Sequence, residues 1–351
     1  MDSKPLNILY IIPSFDEGGA EVHVLNLIRE LNHKHNITLV SSGGRLESKL
    51  PERVKIINLP VHRKNIFTGI YCALKLNALN KKFHWDLVHV HSRVPAWIAW
   101  LLSSLSGVKF IATAHSLYSL NAGLIPFRHA DGVICVSESV KNHMQNYLPV
   151  NNVKVIYNGI IKSGLTHNYS GRVIKFLFAG RLTRLKGLDI ALKALSELKS
   201  YNWTLDILGD GTQRNELESL SVSLGLSDRV IFHGSQDKAQ VMNFMCESSC
   251  LLFPSVSEGM GLVVLEAVSL GLRVIASDLE ALHELSGSGL VESGNVQAWK
   301  LAIKKFLDTG ESSNFDANKI IDVHEMADLT ERFYFEINKV KRLPAGNRMN
   351  N

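Results

Sequence analysis

The sequence predicts an α/β protein built from two doubly wound domains. Three observations carry this. Short apolar runs alternate with longer amphipathic stretches almost throughout, the pattern of parallel strands joined by right-handed helical crossovers. At 351 residues with 46% hydrophobic content, the chain exceeds one typical core and can fill two. The alternation also stops in a polar, Gly-bearing stretch near 158–172 and then restarts.

In chain order, residues 6–12 read as a buried strand and 20–31 as an amphipathic helix. Strands are expected at 37–41 and 54–59, and a helical pattern at 68–82. Further strands fall at 87–91, 110–114, 132–136 and 153–156. Asn158-Gly159-Ile160 ends the first unit. The second opens with a strand at 174–180 and continues through 205–208, 230–233, 250–253 and 274–277. The stretch 327–340 has helical spacing and carries Phe333, Tyr334 and Phe335, too apolar for a free tail, whereas 342–351 reads as disordered. The expected divisions are 1–160, 161–325 and a last helix over 326–341. There is no internal repeat or low-complexity tract.

The bulk chemistry excludes several classes. No run of eighteen apolar residues occurs, so no spanning helix is expected. The start Met1-Asp2-Ser3-Lys4-Pro5 runs directly into the first strand without a signal peptide, which predicts a cytoplasmic protein. Four scattered cysteines make no disulfide framework and read as reduced packing residues. The net charge of +5 is uneven. Residues 1–170 hold 18 basic and 10 acidic residues, and residues 171–351 hold 20 and 23. Seven basic residues and no acid lie between Arg53 and Trp85, which predicts an anionic partner for the first half. Exposed aromatics do not interleave with these cations as in nucleic-acid stacking proteins, so no nucleic-acid partner is expected.

The most informative stretch is Pro254-Ser255-Val256-Ser257-Glu258-Gly259-Met260-Gly261-Leu262-Val263-Val264-Leu265-Glu266-Ala267. A strand enters a glycine-bearing loop that opens a helix at about Gly261. First-turn amides have no intrahelical partner and can hold a phosphate. Glu258 and Glu266 lie eight apart, one in the loop and the other expected two turns down on roughly the same face. A carboxylate close to a phosphate is unfavourable, so both are expected to accept from hydroxyls. A phosphate cradle flanked by hydroxyl acceptors suits a sugar nucleotide.

Other stretches agree. Gly180-Arg181-Leu182-Thr183-Arg184-Leu185-Lys186-Gly187 follows a strand, with Lys186 expected to begin a helix. It places two cations where a leaving diphosphate needs neutralising, in place of Mg²⁺. No Asp-x-Asp motif is present to hold such a cation. Gly18 and Gly19 precede the first helix and allow close ligand approach, though no Gly-x-Gly-x-x-Gly fingerprint occurs. Leu208-Gly209-Asp210-Gly211 reads equally as a nucleotide-side turn or a tight strand exit. Ser137-Glu138 reads chiefly as an N-cap. His115 ends a strand. His89 and His91 share a strand face, but the sequence shows no third metal ligand beside them.

Together these stretches resemble the retaining glycosyltransferases of the large family numbered four, the group 1 glycosyl transferases of bacterial surface-polysaccharide type. The resemblance rests on Glu-x7-Glu in its strand–Pro-Ser–Glu-Gly-x-Gly–helix context, Gly-Arg-x4-Lys-Gly, Gly-Gly-x-Glu and Asp-x-x-His-x-His. It spans residue 6 to about 340 and is stronger in the second half. It implies the GT-B fold, two Rossmann-like domains facing a central cleft, and transfer of a hexose or N-acetylhexosamine without cofactor or metal. By resemblance, Arg181 and Lys186 hold the donor phosphate and Glu258 the sugar hydroxyls. Glu266 holds the ribose, and the amides of Gly259, Met260, Gly261, Leu262 and Val263 hold the leaving charge. Gly18 and Gly19 line the cleft, Gly209 sits beside the base and His115 beside the transferred sugar. The expected donor is a UDP-sugar, with a GDP-sugar as alternative. The expected acceptor is a lipid-linked saccharide or lipopolysaccharide precursor. A sugar-nucleotide epimerase and a non-catalytic partner of another transferase stay open as other classes. Two departures stand out: Asn158-Gly159-Ile160-Ile161 lacks the usual acid, and Arg273 replaces a usual Pro. Arg63, Lys64, Lys81 and Lys82 are expected to dock the first domain on anionic lipid without insertion, giving a peripheral location on the inner face of the cytoplasmic membrane.

Overall fold

The structure, a computed structural model, describes residues 4–16, 18–149, 151–162 and 164–339. The tail 342–351 therefore lies outside the described residues, as do Glu17, Ser163 and Val340 from stretches discussed above. Two compact units divide the chain. One holds the described residues up to Gly159 together with those from Asp322 onward, and the other holds Ile160–Ile321.

In the first unit the elements are β1 (Asn7–Ile11), α1 (Gly19–Leu31), β2 (Asn36–Ser41), β3 (Lys55–Asn58), α2 (Ile66–Phe83) and β4 (Leu87–His91). They continue with α3 (Arg93–Ser106), β5 (Lys109–Ala114), α4 (Ile125–Arg128), β6 (Gly132–Cys135), α5 (Glu138–Met144) and β7 (Val153–Val155). The seven strands are parallel in the order β3-β2-β1-β4-β5-β6-β7. Helices cover both faces of such a sheet, so its central strands are buried on both sides rather than alternating between core and solvent. All five residues of β4 are buried.

The second unit comprises β8 (Ile174–Ala179), α6 (Leu188–Ser196), β9 (Trp203–Leu208), α7 (Arg214–Ser223), β10 (Val230–Gly234), α8 (Lys238–Cys246), β11 (Cys250–Phe253) and α9 (Leu262–Ser269). β12 (Arg273–Ala276), α10 (Glu280–His283), β13 (Ser286–Ser288), α11 (Val296–Thr309) and β14 (Asn314–Phe315) follow. Its five-stranded parallel sheet runs β10-β9-β8-β11-β12. Alternate side chains feed two cores. Phe176, Phe178 and Leu252 join Leu192, Trp299 and Ile303 on one face. Leu177, Leu251 and Phe253 join Met245 and Val264 on the other. The short antiparallel pair β13–β14 has no counterpart in the sequence expectation. Two or three residues per strand leave too little alternation to read.

The closing helix α12 (Val323–Lys339) belongs to the first unit. It starts four residues before the expected point because the Asp322 carboxylate accepts from the Glu325 amide at 2.9 Å. Met326, Phe333, Tyr334 and Ile337 are buried. The Lys109 ammonium donates to the Ile337 carbonyl at 2.7 Å, satisfying one of the helix's last acceptors. Helix α2 likewise starts before the expected Thr68, because Asn65 Oδ1 accepts from the Phe67 and Thr68 amides.

The apolar residues of α2 divide between its two sides. Ile70 and Leu74 are 42% and 53% exposed, with Ile66 and Phe67 at 73% and 78%. Cys72, Ala73 and Leu76 are buried. Apolar residues occupy both sides of this helix, so spacing alone did not select the inner one. Among the described residues, no helix is long and apolar enough to cross a membrane. The cysteines are free.

Candidate active site

In the second sheet the strand order reverses beside β8, between β9 on one side and β11 on the other. Loops leaving the carboxyl ends of neighbouring strands diverge there, and open α/β sheets bind ligands at such a switch point. The loops that converge are those singled out by sequence: Gly180–Lys186 after β8, Gly209–Gly211 after β9, and Pro254–Gly261 after β11. Their backbones are in close contact. Gly187 has φ +62°, and a Cβ there would lie 2.1 Å from the Pro254 carbonyl oxygen. Gly209 has φ +129°, and its Cβ would lie 2.0 Å from the Gly180 carbonyl oxygen. Only glycine permits either approach. The Val256 amide donates to the Leu185 carbonyl at 2.8 Å, and the Leu182 amide to the Asp210 carbonyl at 2.9 Å. The strand-exit reading of Gly209–Gly211 is thus satisfied by backbone packing.

Lys186 ends a 3-10 turn (Arg184–Lys186) and is separated from α6 by Gly187, rather than lying at a helix start. Its ammonium pairs with the Glu258 carboxylate, and the two side chains are 27% and 13% exposed. Ser255 Oγ donates to the same Glu258 oxygen at 2.8 Å. Arg181 is exposed on the same loop. Met260 and Gly259 are buried, and Gly261 caps α9, whose first residues Leu262 and Val263 are partly exposed. Glu266 corrects the sequence geometry. α9 begins at Leu262, so Glu266 lies about one turn into the helix, and Glu258 lies before it on the loop. The Glu266 carboxylate pairs with Lys238 at the first position of α8. Sequence reasoning missed Lys238, because nothing local links positions 28 residues apart. Arg273, the residue in place of proline, donates to the Gly310 carbonyl at 2.8 Å beyond α11. That is a structural role at a helix end.

In the first unit the sheet order reverses between β1 and β4. Near those strand ends lies a cluster of imidazoles. His91 Nδ1 is hydrogen-bonded to His115 Nε2 at 2.9 Å. The ring of His23, from α1, stands edge-on to His115 with centroids 4.9 Å apart. His23 Nδ1 donates to Asn158 Oδ1 at 2.8 Å. His89 turns instead to Tyr334 OH and Thr113 Oγ1, both at 2.7 Å, and Tyr334 OH meets Tyr10 OH at 2.7 Å. Sequence reasoning paired His89 with His91 and found no third ligand. The structure brings His23 and His115 to His91, from a helix and from the end of β5. Burial is the main cause that lowers all four pKa values, His23 to about 4 and His89, His91 and His115 well below their usual 6.5. The rings are neutral at neutral pH. Gly18 is the N-cap of α1, and Gly19 begins it. Ser137 caps α5, its Oγ accepting from the Val140 amide at 3.2 Å.

The chain matches two family descriptions in tandem: Glycosyltransferase Family 4 over residues 17–162 and Glycosyl transferases group 1 over residues 167–319. An uncharacterized glycosyltransferase of Methanocaldococcus jannaschii is 30% identical over 314 residues, covering 84% of this chain and 86% of the relative. The O-antigen biosynthesis glycosyltransferase WclY of Escherichia coli is 27% identical over 307 residues, 80% of this chain and 82% of its own. The structure of Anabaena HepE in complex with UDP and glucose superposes with a TM-score of 0.79 at 18% identity, covering 93% of this chain and 98% of that one. The chain belongs to the group 1, family 4 glycosyltransferases and has their two-domain GT-B fold.

Proposed function

We propose that this glycosyltransferase moves a hexose or N-acetylhexosamine from a nucleotide sugar, UDP favoured, to a lipid-linked saccharide or lipopolysaccharide precursor with retention of configuration. The observation that carries it is the meeting of Lys186, Glu258 and the start of α9 at the switch point of the second sheet, with Arg181 on the same loop. A diphosphate there meets two cations and first-turn amides, which stabilise charge as it develops on the leaving group. Glu258 accepts from sugar hydroxyls and Glu266 from the ribose. Among the described residues no carboxylate stands as an evident nucleophile, so the reading is front-side. The departing diphosphate takes the acceptor proton while Arg181, Lys186 and the amides from Gly259 to Val263 hold its charge. Oxocarbenium character develops at the anomeric carbon.

The acceptor is assigned to the first unit, with His115, Gly18 and Gly19 among its residues. HepE, of the same fold, is solved with UDP and glucose, and WclY is named for O-antigen biosynthesis. Both favour this donor and acceptor class. Attachment to an anionic membrane surface is part of the reading. Exposed Arg63, Lys64, Lys81 and Lys82 flank the exposed Ile66, Phe67, Ile70 and Leu74 of α2. Apolar contact at the headgroup boundary thereby joins charge attraction. The test is a donor screen by mass spectrometry with release of UDP or GDP as readout. Release that needs an acceptor and persists in excess EDTA supports the proposal. Sugar epimerisation without acceptor would favour the epimerase instead, and strict dependence on Mg²⁺ or Mn²⁺ would contradict the leaving-group roles.

A further inference from the structure

The imidazole cluster has a property that sugar transfer does not use. One ring nitrogen from each of His23, His91 and His115 lies within 4.8 Å of the others. His23 Nε2 is buried without a hydrogen-bond partner. Buried polar atoms are nearly always paired, so an orphan beside the His91–His115 pair calls for a missing partner. Asn158 decides its state. Its Oδ1 accepts from His23 Nδ1–H, which leaves His23 Nε2 as a bare lone pair. An outer nitrogen fixed by a neighbouring oxygen is how metal-binding histidines are held.

We propose that His23, His91 and His115 form a binding site for a divalent late transition metal, with Zn²⁺ the best fit, and that its occupancy blocks transfer. Three neutral imidazoles with an open fourth position match the donor set and geometry that Zn²⁺ takes, and offer none of the oxygen ligands that Mg²⁺ or Ca²⁺ needs. Zinc–nitrogen bonds of about 2.1 Å put tetrahedral ligands roughly 3.4 Å apart, so the His91–His115 pair at 2.9 Å opens slightly and His23, within 4.8 Å of both, closes on it. One proton lies between His91 and His115. Its transfer to the outer nitrogen of the ring that holds it leaves two facing lone pairs, so binding releases no net proton. Of the three rings, His115 is the partly exposed one, which gives the ion an entry side. The inhibition rests on the role proposed for His115 in transfer; the binding does not.

The test uses full-length protein stripped with chelator and then dialysed. Zn²⁺ is titrated calorimetrically, and Co²⁺ is added in parallel as a spectroscopic probe. One equivalent should bind, with the intense visible bands of a tetrahedral cobalt site that added Zn²⁺ bleaches. His23→Gln should abolish this site, and Asn158→Ala should weaken it roughly 10–100-fold, as loss of an outer-shell partner does. Zn²⁺ should raise the melting temperature of the wild type and not of His23→Gln. It should also inhibit transfer reversibly, with EDTA restoring turnover. Absence of stoichiometric cobalt bands would overturn the proposal, as would a folded His23→Gln protein that binds Zn²⁺ like the wild type. Transfer without zinc binding removes this site and leaves the transferase reading. Zinc binding without transfer on any donor does the reverse.

Discussion

Lys186→Ala separates two roles for one ammonium group. Lys186 neutralises Glu258 in the free protein, and on the proposed function it also neutralises the leaving diphosphate. The first role is a matter of stability. Breaking a fully buried pair costs about 3–5 kcal/mol, and an exposed pair about 0–1 kcal/mol. With Lys186 27% and Glu258 13% exposed, and Ser255 Oγ still donating to the carboxylate, the cost falls between, at about 1–2 kcal/mol. For a domain of this size that lowers the melting temperature by roughly 3–6 °C. The second role is kinetic. Losing one charge-stabilising group in a site of this kind costs about 3–4 kcal/mol of barrier, or roughly 10²–10³ in kcat.

Glu258→Gln distinguishes the two, because glutamine keeps the side-chain length and removes the carboxylate that needs Lys186. If Lys186 serves only to hold Glu258, then Lys186→Ala added to Glu258→Gln costs nothing further in melting temperature or rate. If it holds the diphosphate, the double variant recovers stability but still turns over at least about 100-fold more slowly than Glu258→Gln alone. The assay is nucleotide release under saturating donor, read beside thermal melts of all four proteins. A rate loss below tenfold in the Glu258→Gln background would refute the leaving-group role.

Arg181→Ala, exposed and outside the Lys186–Glu258 pair, should melt like the wild type while losing roughly 10²–10³ in kcat; near-normal turnover would remove Arg181 from the diphosphate. The folded protein keeps His23, His89, His91 and His115 neutral, and the unfolded chain protonates them first as pH falls. Urea unfolding should therefore show full stability above about pH 6.5 and a decline below it, His23 alone contributing about 3 kcal/mol between pH 6.5 and 4; flat stability from pH 7 to 5 would contradict this. Gly209→Ala should cost about 1–3 kcal/mol from its backbone conformation alone, with the contact to the Gly180 carbonyl added; an unchanged melting temperature would contradict the geometry. Vesicle co-sedimentation should need anionic lipid, weaken with salt and fall both when Arg63, Lys64, Lys81 and Lys82 become Glu and when Ile66 and Phe67 become Ser; absence of binding at low salt would shift the acceptor to a soluble one.

The parallel strands were legible because burial on both faces makes them continuous apolar runs, as in residues 8–11 and Cys250–Phe253. The loops of the site were legible for a related reason. In such sheets ligand groups sit just beyond strand ends, so a strand followed by Gly-Arg-x4-Lys-Gly or Glu-Gly-x-Gly is already placed. What stayed hidden are partnerships across elements. Glu266 with Lys238, and His23 with Asn158 and His91, join residues whose spacing carries no period. The exposed face of α2 was hidden because both of its faces carry apolar side chains.

Those hidden partnerships change what the visible motif means. Read from sequence, Lys186 and Glu258 are two separate contacts, one for phosphate and one for sugar. In the structure each holds the other. On the proposed function, a diphosphate that draws Lys186 toward itself also frees the Glu258 carboxylate, and a carboxylate left with only Ser255 Oγ seeks further donors. Sugar hydroxyls are such donors. Phosphate and sugar recognition are then coupled through one broken ion pair. The cost of breaking it is offset only when both ends of the donor are present. Glu266 is likewise held in an ion pair, with Lys238. A nucleotide sugar satisfies both glutamates and replaces the partner of Lys186 in one event. Free nucleoside diphosphate leaves Glu258 short of donors and monosaccharide leaves Lys186 paired. On the proposed function the Lys186–Glu258 pair therefore favours the intact donor over either of its halves.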